Sequence, residues 1–314
     1  MVTRVTTANT YGAILSDLMA AQNRQTTAGQ QVATGKLGSD LVGFGSQTRN
    51  IVATNTVKAR VDTMVDQLKS LNVKMNFQQS AVQQVSDVAS QLKLSLTNAL
   101  ASGQGDGVMS DVTSFFSQAM QALNTQYGGD YLFSGGQAQT KPFTATGLSD
   151  LNSPATVSSF FMDGGLIPTN QIDDSTTIQT GFLASDLGQS LMTSFQDIQN
   201  FQQGAGGNFG GQLTTAQQNF LQSAITTLDG VVTSTTQTTA QGGDIQKRVE
   251  SATTAQTTRQ TTLTNMLGDL TDVNMAKAAS DLSQAQSAVQ ASAQVFMTLK
   301  GMSLLNYLSS TTTP

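Results

Sequence analysis

The sequence predicts a mainly α fold with a small β-rich insert, in which both termini build one long antiparallel helical bundle. Three observations predict it. Apolar residues recur at alternating steps of four and three across residues 57–99 of the 314-residue chain. Thinner stripes of the same kind run near both ends. Between them the periodicity stops, and Pro142, Pro154 and Pro168 appear among many Gly, Ser and Asp residues. Helical tracts at both ends with an irregular middle require the chain to reverse. The termini then lie together and the insert lies at the far tip.

The N-terminal tract steps Ile14, Leu18, Ala21, Gln25, Ala28, Val32. The next one is the strongest. Val57, Val61, Met64, Leu68, Leu71, Met75, Val82, Val85, Ala89, Leu92, Leu96 and Ala99 form a seam in which Gln78 is the single polar member. Such spacing predicts one helix of about 64 Å in a coiled-coil-like bundle. From this seam Val61, Met64, Leu68, Leu71, Met75, Val82, Val85 and Leu92 are the expected bundle core.

The glycine-rich run 101–107 predicts a turn, after which Ser110 is expected to cap a helix striped by Val112, Phe115/Phe116, Ala119, Leu123 and Tyr127. Gly128-Gly129 is expected to end it. Tyr131 to Phe133, Thr156 to Phe161 and Thr176 to Phe182 are β-prone runs within the 130–185 insert. Helical patterning returns with Leu187, Leu191, Phe195 and Ile198, and Gly204 to Gly211 forms a loop. A second long tract runs from Phe220 to Val273, diluted by a Thr/Gln run and with Gly242-Gly243 as a possible bend. The last tract steps Met275, Ala278, Leu282, Ala285, Val289, Ser292, Phe296, Leu299. The expected organisation is therefore 1–45 with 274–314 as terminal helices, 46–129 with 186–273 as the long-helix bundle, and 130–185 as the outer insert.

Composition removes whole classes of chemistry. The chain has no His and no Cys. A Ser-His-Asp triad, a cysteine nucleophile and an ordinary zinc or iron–sulfur site are therefore out of reach. No catalytic, cofactor-binding or metal-binding residues are expected. Asp173-Asp174 is the only adjacent acid pair, and such a pair more often marks a turn. Gly204-Ala205-Gly206-Gly207 lacks a following Lys-Ser/Thr and reads as a linker rather than a phosphate loop. Net charge is −5, and no Lys or Arg lies between Lys141 and Lys247, an interval holding eight Asp residues. An acidic, base-free middle repels nucleic acid and anionic membranes. No run of about 18 apolar residues exists, so no membrane insertion is expected. The first residues lack the apolar stretch of about 7–15 residues of a signal peptide, so a Sec route is not expected. The absence of Cys fits either a reduced cytosol or an exported protein without disulfides.

The two ends differ physically from the middle. Burying a Leu or Val contributes about 1.5–3 kcal/mol, whereas ordering one backbone residue costs about 1–2 kcal/mol. The N-terminal stripe is short and diluted by Ala and Gln. The C-terminal stripe, with Met297, Leu299, Met302, Leu304, Leu305 and Leu308, offers more apolar surface than one weak partner covers. Both ends are expected to complete their burial against neighbouring copies, through Ile14, Leu18, Ala21, Leu282, Val289, Phe296, Leu299, Leu304, Leu305 and Leu308. The alternative is an ordinary two-helix stalk within the monomer.

Several segments resemble a known family. Leu15-Ser16-Asp17-Leu18 and Gln30-Gln31-Val32-Ala33-Thr34-Gly35-Lys36 are similar to the N-terminus of bacterial flagellins and hook-associated proteins. Leu282-Ser283-Gln284-Ala285-Gln286 and Gln290-Ala291-Ser292 look like their shared C-terminal helix. Tyr131-Leu132-Phe133-Ser134-Gly135, closing with Lys141-Pro142-Phe143, and Ser303-Leu304-Leu305-Asn306-Tyr307-Leu308 resemble the hook–filament junction (hook-associated protein 3) family. Two departures stand out. The connector after Gly35 reads Ser39-Asp40-Leu41-Val42-Gly43-Phe44-Gly45 where the family has an Asp-Asp-Pro step. Asp272-Val273-Asn274 replaces the usual Asp-Ala-Asp.

The resemblance implies a flagellin-like fold and a non-enzymatic structural subunit of the bacterial flagellum. It implies export unfolded through the flagellar secretion channel, an export chaperone, and an extracellular position at the junction. The implied partners are further copies in a ring or helical oligomer, a neighbouring hook-associated protein on the hook side and flagellin on the filament side. Flagellin itself is the close rival. A chemoreceptor-like signalling hairpin is a more distant one, since it predicts two arms with a tight tip and no Pro-bearing insert. A surface-active helical protein would carry Lys/Arg bands, but Met275 to Tyr307 has only Lys277 and Lys300.

Overall fold

The structure, a computed structural model, describes residues 2–152, 154–204 and 207–309, with side chains over 12–298 of these. It is mainly α, in six helices: α1 (Val2–Thr34), α2 (Thr48–Ser102), α3 (Val108–Leu123), α4 (Ala184–Gln203), α5 (Thr215–Thr271) and α6 (Met275–Ser309). Two antiparallel hairpins lie between α3 and α4: β1 (Gln126–Tyr127) with β2 (Asp130–Tyr131), and β3 (Thr169–Gln171) with β4 (Thr177–Gln179). The chain divides into a terminal unit, residues 1–61 with 259–314, and a central unit, residues 62–258.

In the central unit α2 and α5 run antiparallel. Asn76 meets Gln246, Gln79 meets Thr239 and Lys93 meets Asp229, so numbers that rise along one helix fall along the other. The α2 seam is the reason. Val82, Val85, Ala89, Leu92 and Leu96 are fully buried among Val112, Phe116 and Leu123 of α3, Leu187, Leu191 and Phe195 of α4, and Leu221 and Leu228 of α5. Phe116 and Phe195 meet edge-on with ring centres 5.6 Å apart, a favourable aromatic geometry. Leu132, Phe133, Phe143 and Leu151 of the 130–185 stretch join this same core. A second core joins Leu68, Leu71 and Met75 to Ile172 and Ile178 of the β3–β4 region and Val249 of α5.

Several local expectations are corrected. Helix α3 starts at Val108 behind Gly107, with no side-chain cap, so Ser110 lies inside it rather than at its cap. It ends at Leu123, not at Gly128-Gly129. Asn124 breaks away to bond Phe143 on both sides, donating to its carbonyl at 2.9 Å and accepting from its N–H at 3.0 Å. Gly128 and Gly129, at φ 63° and 92°, instead form the two-residue turn of the β1–β2 hairpin, which requires positive φ at both positions.

The run Thr156–Phe161 is not a strand. Val157–Phe160 is a 3₁₀ turn in which Ser159 donates from both its N–H and its hydroxyl to the Thr156 carbonyl, offering the backbone a local alternative to a ladder. Helix α5 passes through Gly242-Gly243 without interruption. Gly242 is small for packing reasons, since a Cβ there would lie 2.2 Å from Gln79 Oε1, and Gln79 Nε2 donates to Thr239 O.

Candidate assembly surface

The terminal unit is built on α1 packed against α6. Their root explains the pairing. Gly35, at φ 69°, ends α1 in the left-handed conformation, and its N–H donates back to Gln31 O at 2.8 Å. The next residues pair with the end of α5 and its link to α6: Leu37 N–H donates to Thr271 O at 2.7 Å and Val273 N–H to Gly35 O at 2.9 Å. Lys36 Nζ bonds the Asp272 carboxylate and, at 3.1 Å, the Thr271 hydroxyl. The Lys36 bond, with the Thr271 hydroxyl, holds the Asp272 carboxyl below the ordinary aspartate range. Asn274 caps α6, its Oδ1 accepting from Lys277 N–H at 3.1 Å, so Asn in place of a second Asp still supplies the cap acceptor.

This root fixes α1 and α6 antiparallel, with Leu282 Cδ1 against Gly29. What is buried between them is small: Ala21 and Ala28 of α1, and Ala278 and Ala285 of α6. Of the other residues expected at an assembly interface, Ile14, Leu18, Leu282, Val289 and Phe296 are half-buried along this intramolecular seam. The side chains of Leu299, Leu304, Leu305 and Leu308 lie outside the described residues. Of the expected bundle core, Val61, Leu68, Leu71, Met75, Val82, Val85 and Leu92 are buried and Met64 is half-buried against the second core.

The apolar residues left in water are different ones. Leu15 and Met19 on α1, Leu37, Leu41 and Val42 on the connector, Val52 and Val57 on α2, Met266 on α5, and Met275, Val295 and Met297 on α6 are exposed, Val42 to 86%. Among the described residues, the terminal unit holds these 11 of the 16 exposed large apolar side chains but only 6 of the 46 buried apolar ones. Isolated exposed apolar residues are normal, but this concentration on one unit makes it the candidate interaction surface. Leu15 and Met19 sit one position beyond the seam residues Ile14 and Leu18. That offset was the available signal, because it widens the apolar stripe beyond what one partner helix covers.

The connector has its own support. Asp40 Oδ1 accepts from Gly43 N–H at 2.9 Å, and Thr48 Oγ1 donates to Leu41 O at 2.6 Å. These bonds hold the Leu41-Val42 pair outward. A shallow apolar cleft lies beside it, lined by Leu41, Phe44, Ile51 and Leu267. Charge also divides by unit. The terminal unit carries nine Lys/Arg and five acids, a net +4, and the central unit six Lys/Arg and fifteen acids, a net −9. Among the described residues, no group of His, Cys, Asp and Glu is placed to hold a metal ion, and no helix is long and apolar enough to cross a membrane.

Residues 225–308 match the bacterial flagellin C-terminal helical region. That flagellin-like segment covers most of α5 and nearly all of α6. The fold is likewise that of flagellar hook-associated structures. A protein described as flagellar hook-associated, from Vibrio parahaemolyticus, superposes with a TM-score of 0.54 over 74% of this chain and 99% of its own, at 11% identity. FlgL of Bacillus cereus superposes with a TM-score of 0.52 over 69% of this chain and 98% of its own, at 14% identity. No curated protein matches the chain.

Proposed function

We propose that this chain is a structural, non-enzymatic subunit of the bacterial flagellum. In this reading it is a hook-associated protein that joins hook to filament by packing its terminal unit against neighbouring subunits. The observation that carries the reading is the burial asymmetry: a self-sufficient central core beside a terminal unit whose buried seam is mostly alanine and whose Leu, Val and Met residues face water. The flagellin-like α5–α6 segment and the hook-associated fold supply the setting.

The chain is then exported through the flagellar secretion channel, held by a chaperone before assembly, and packed outside the cell between a second hook-associated protein and flagellin. Thin alanine seams let it leave the export channel unfolded and finish folding in place, since ordering entropy is recovered only when neighbours bury the remaining apolar surface. Leu132, Phe133 and Ser134 are buried, so the Tyr131–Gly135 turn is part of the central core.

Electron microscopy of cells lacking the protein tests this. Hooks without attached filaments are the expected outcome; normal filaments on normal hooks would overturn it. The flagellin-like helical region also favours a filament subunit. That second reading predicts that purified copies elongate without limit, whereas a junction subunit stops after a finite ring.

A further inference from the structure

The chain has twelve Met and no Cys, so thioethers are its only oxidisable sulfur. The fold exposes them unequally, with Met64, Met109 and Met120 of the central unit half-buried. In the central unit Met75 and Met192 are 3% and 0% exposed. In the terminal unit Met19, Met266, Met275 and Met297 are 54%, 48%, 48% and 62% exposed. Met162 is the one exposed Met of the central unit among the described residues. Thus four of the eleven apolar side chains that the terminal unit leaves in water carry an accessible sulfur.

We propose that Met19, Met266, Met275 and Met297 form an oxidation-sensitive modification set that controls incorporation of the free subunit. This rests on the assembly reading above. Hydrogen peroxide is the oxidant. The thioether sulfur attacks one peroxide oxygen, the O–O bond breaks, an S–O bond forms, and after proton transfer the second oxygen leaves as water. Sulfur is oxidised by two electrons and peroxide is reduced by two. The product is a polar, chiral sulfoxide in place of a flexible apolar side chain. A sulfoxide resists transfer from water into an apolar contact, so each modified position opposes burial against a neighbour. In an assembled structure the same sulfurs are covered, so sensitivity belongs to the unassembled chain. All four side chains are exposed and lie outside the buried alanine contacts of the α1–α6 seam, so oxidation leaves the monomer fold intact.

The test uses the full chain, hydrogen peroxide, peptide mass spectrometry and incorporation onto isolated hook ends. Met19, Met266, Met275 and Met297 should oxidise as fast as Met162 and well ahead of Met75 and Met192, with helical content unchanged. Oxidised protein should need at least about tenfold more subunit for half-maximal incorporation. Peroxide should leave the quadruple variant M19L/M266L/M275L/M297L at its own untreated level of incorporation, whatever that level is, while M162L should lose incorporation on oxidation as the unmodified sequence does. Undiminished incorporation of oxidised protein, or equal peroxide inactivation of the quadruple variant, would overturn the inference alone. Failure of untreated protein to incorporate would overturn the assembly reading, and this inference with it.

Discussion

Gln78, the polar member of the α2 seam, is 3% exposed and donates from Nε2 to the Leu132 carbonyl at 3.1 Å. A long helix thereby holds the backbone of the Tyr131–Gly135 turn. A buried amide is tolerated in an apolar seam only when it is paired, and here the partner is a carbonyl of the insert. Replacing Gln78 with Leu leaves that carbonyl without its donor. We expect Gln78→Leu to destabilise the central unit by about 1–3 kcal/mol, read by chemical denaturation. A neutral or stabilising result would mean that the Leu132 carbonyl finds water instead.

Two helix glycines should respond in opposite ways to the same change. A Cβ at Gly188 would lie 2.6 Å from Leu123 Cδ1, and Leu123 is fully buried. Overpacking there should cost about 1–3 kcal/mol, more than the gain of about 1 kcal/mol in helix propensity. At Gly230 nothing lies within 4 Å of an added Cβ. Gly230→Ala should therefore stabilise by about 0.5–1 kcal/mol. Thermal melting of both variants checks the pair; shifts of the same sign would count against the packing at α3 and α4.

Folding and assembly should separate by unit. Leu92→Ala empties a fully buried position in the central core and should cost about 2–5 kcal/mol. Val42→Asp changes a side chain that is 86% exposed, so stability should move by less than about 0.5 kcal/mol. Incorporation onto hook ends should nevertheless fall for Val42→Asp, because a charge would have to enter an apolar contact. Normal incorporation of that variant would remove the connector from the assembly surface.

The Lys36–Asp272 pair gives the root of α1 and α6 a pH dependence. The Asp272 carboxyl is held below its usual range by its bond from Lys36. A depressed carboxylate contributes stability that is complete above the ordinary aspartate value near pH 4 and is lost as pH falls below it. Both partners are exposed, so the effect is local rather than global. Hydrogen-exchange protection at the Leu37 and Val273 amides should drop in acid and in Asp272→Asn at neutral pH. Unchanged protection in that variant would show that the backbone bonds hold the root unaided.

Sequence alone was enough for the long helices and for the thin apolar stripes near both ends. The α2 seam needed no structure, because a 3.5-residue apolar repeat over six heptads has one economical solution, a helix with one face buried. The absence of His and Cys likewise removes most catalytic chemistry at the level of composition. Tertiary structure decided what local pattern leaves degenerate. Asn124 ends α3 because Phe143 is there to receive it, and Gly128-Gly129 is free to turn a hairpin only once α3 has stopped. It also decided which apolar residues near the ends stay in water. Ala21 and Ile14 share a stripe with Leu18, yet Ala21 is buried while Leu15 and Met19 beside them are exposed. That choice depends on how closely α6 approaches α1, and closeness is set by the alanines on both helices together. Periodicity gives the direction in which a side chain points; only the partner's distance determines whether anything meets it there.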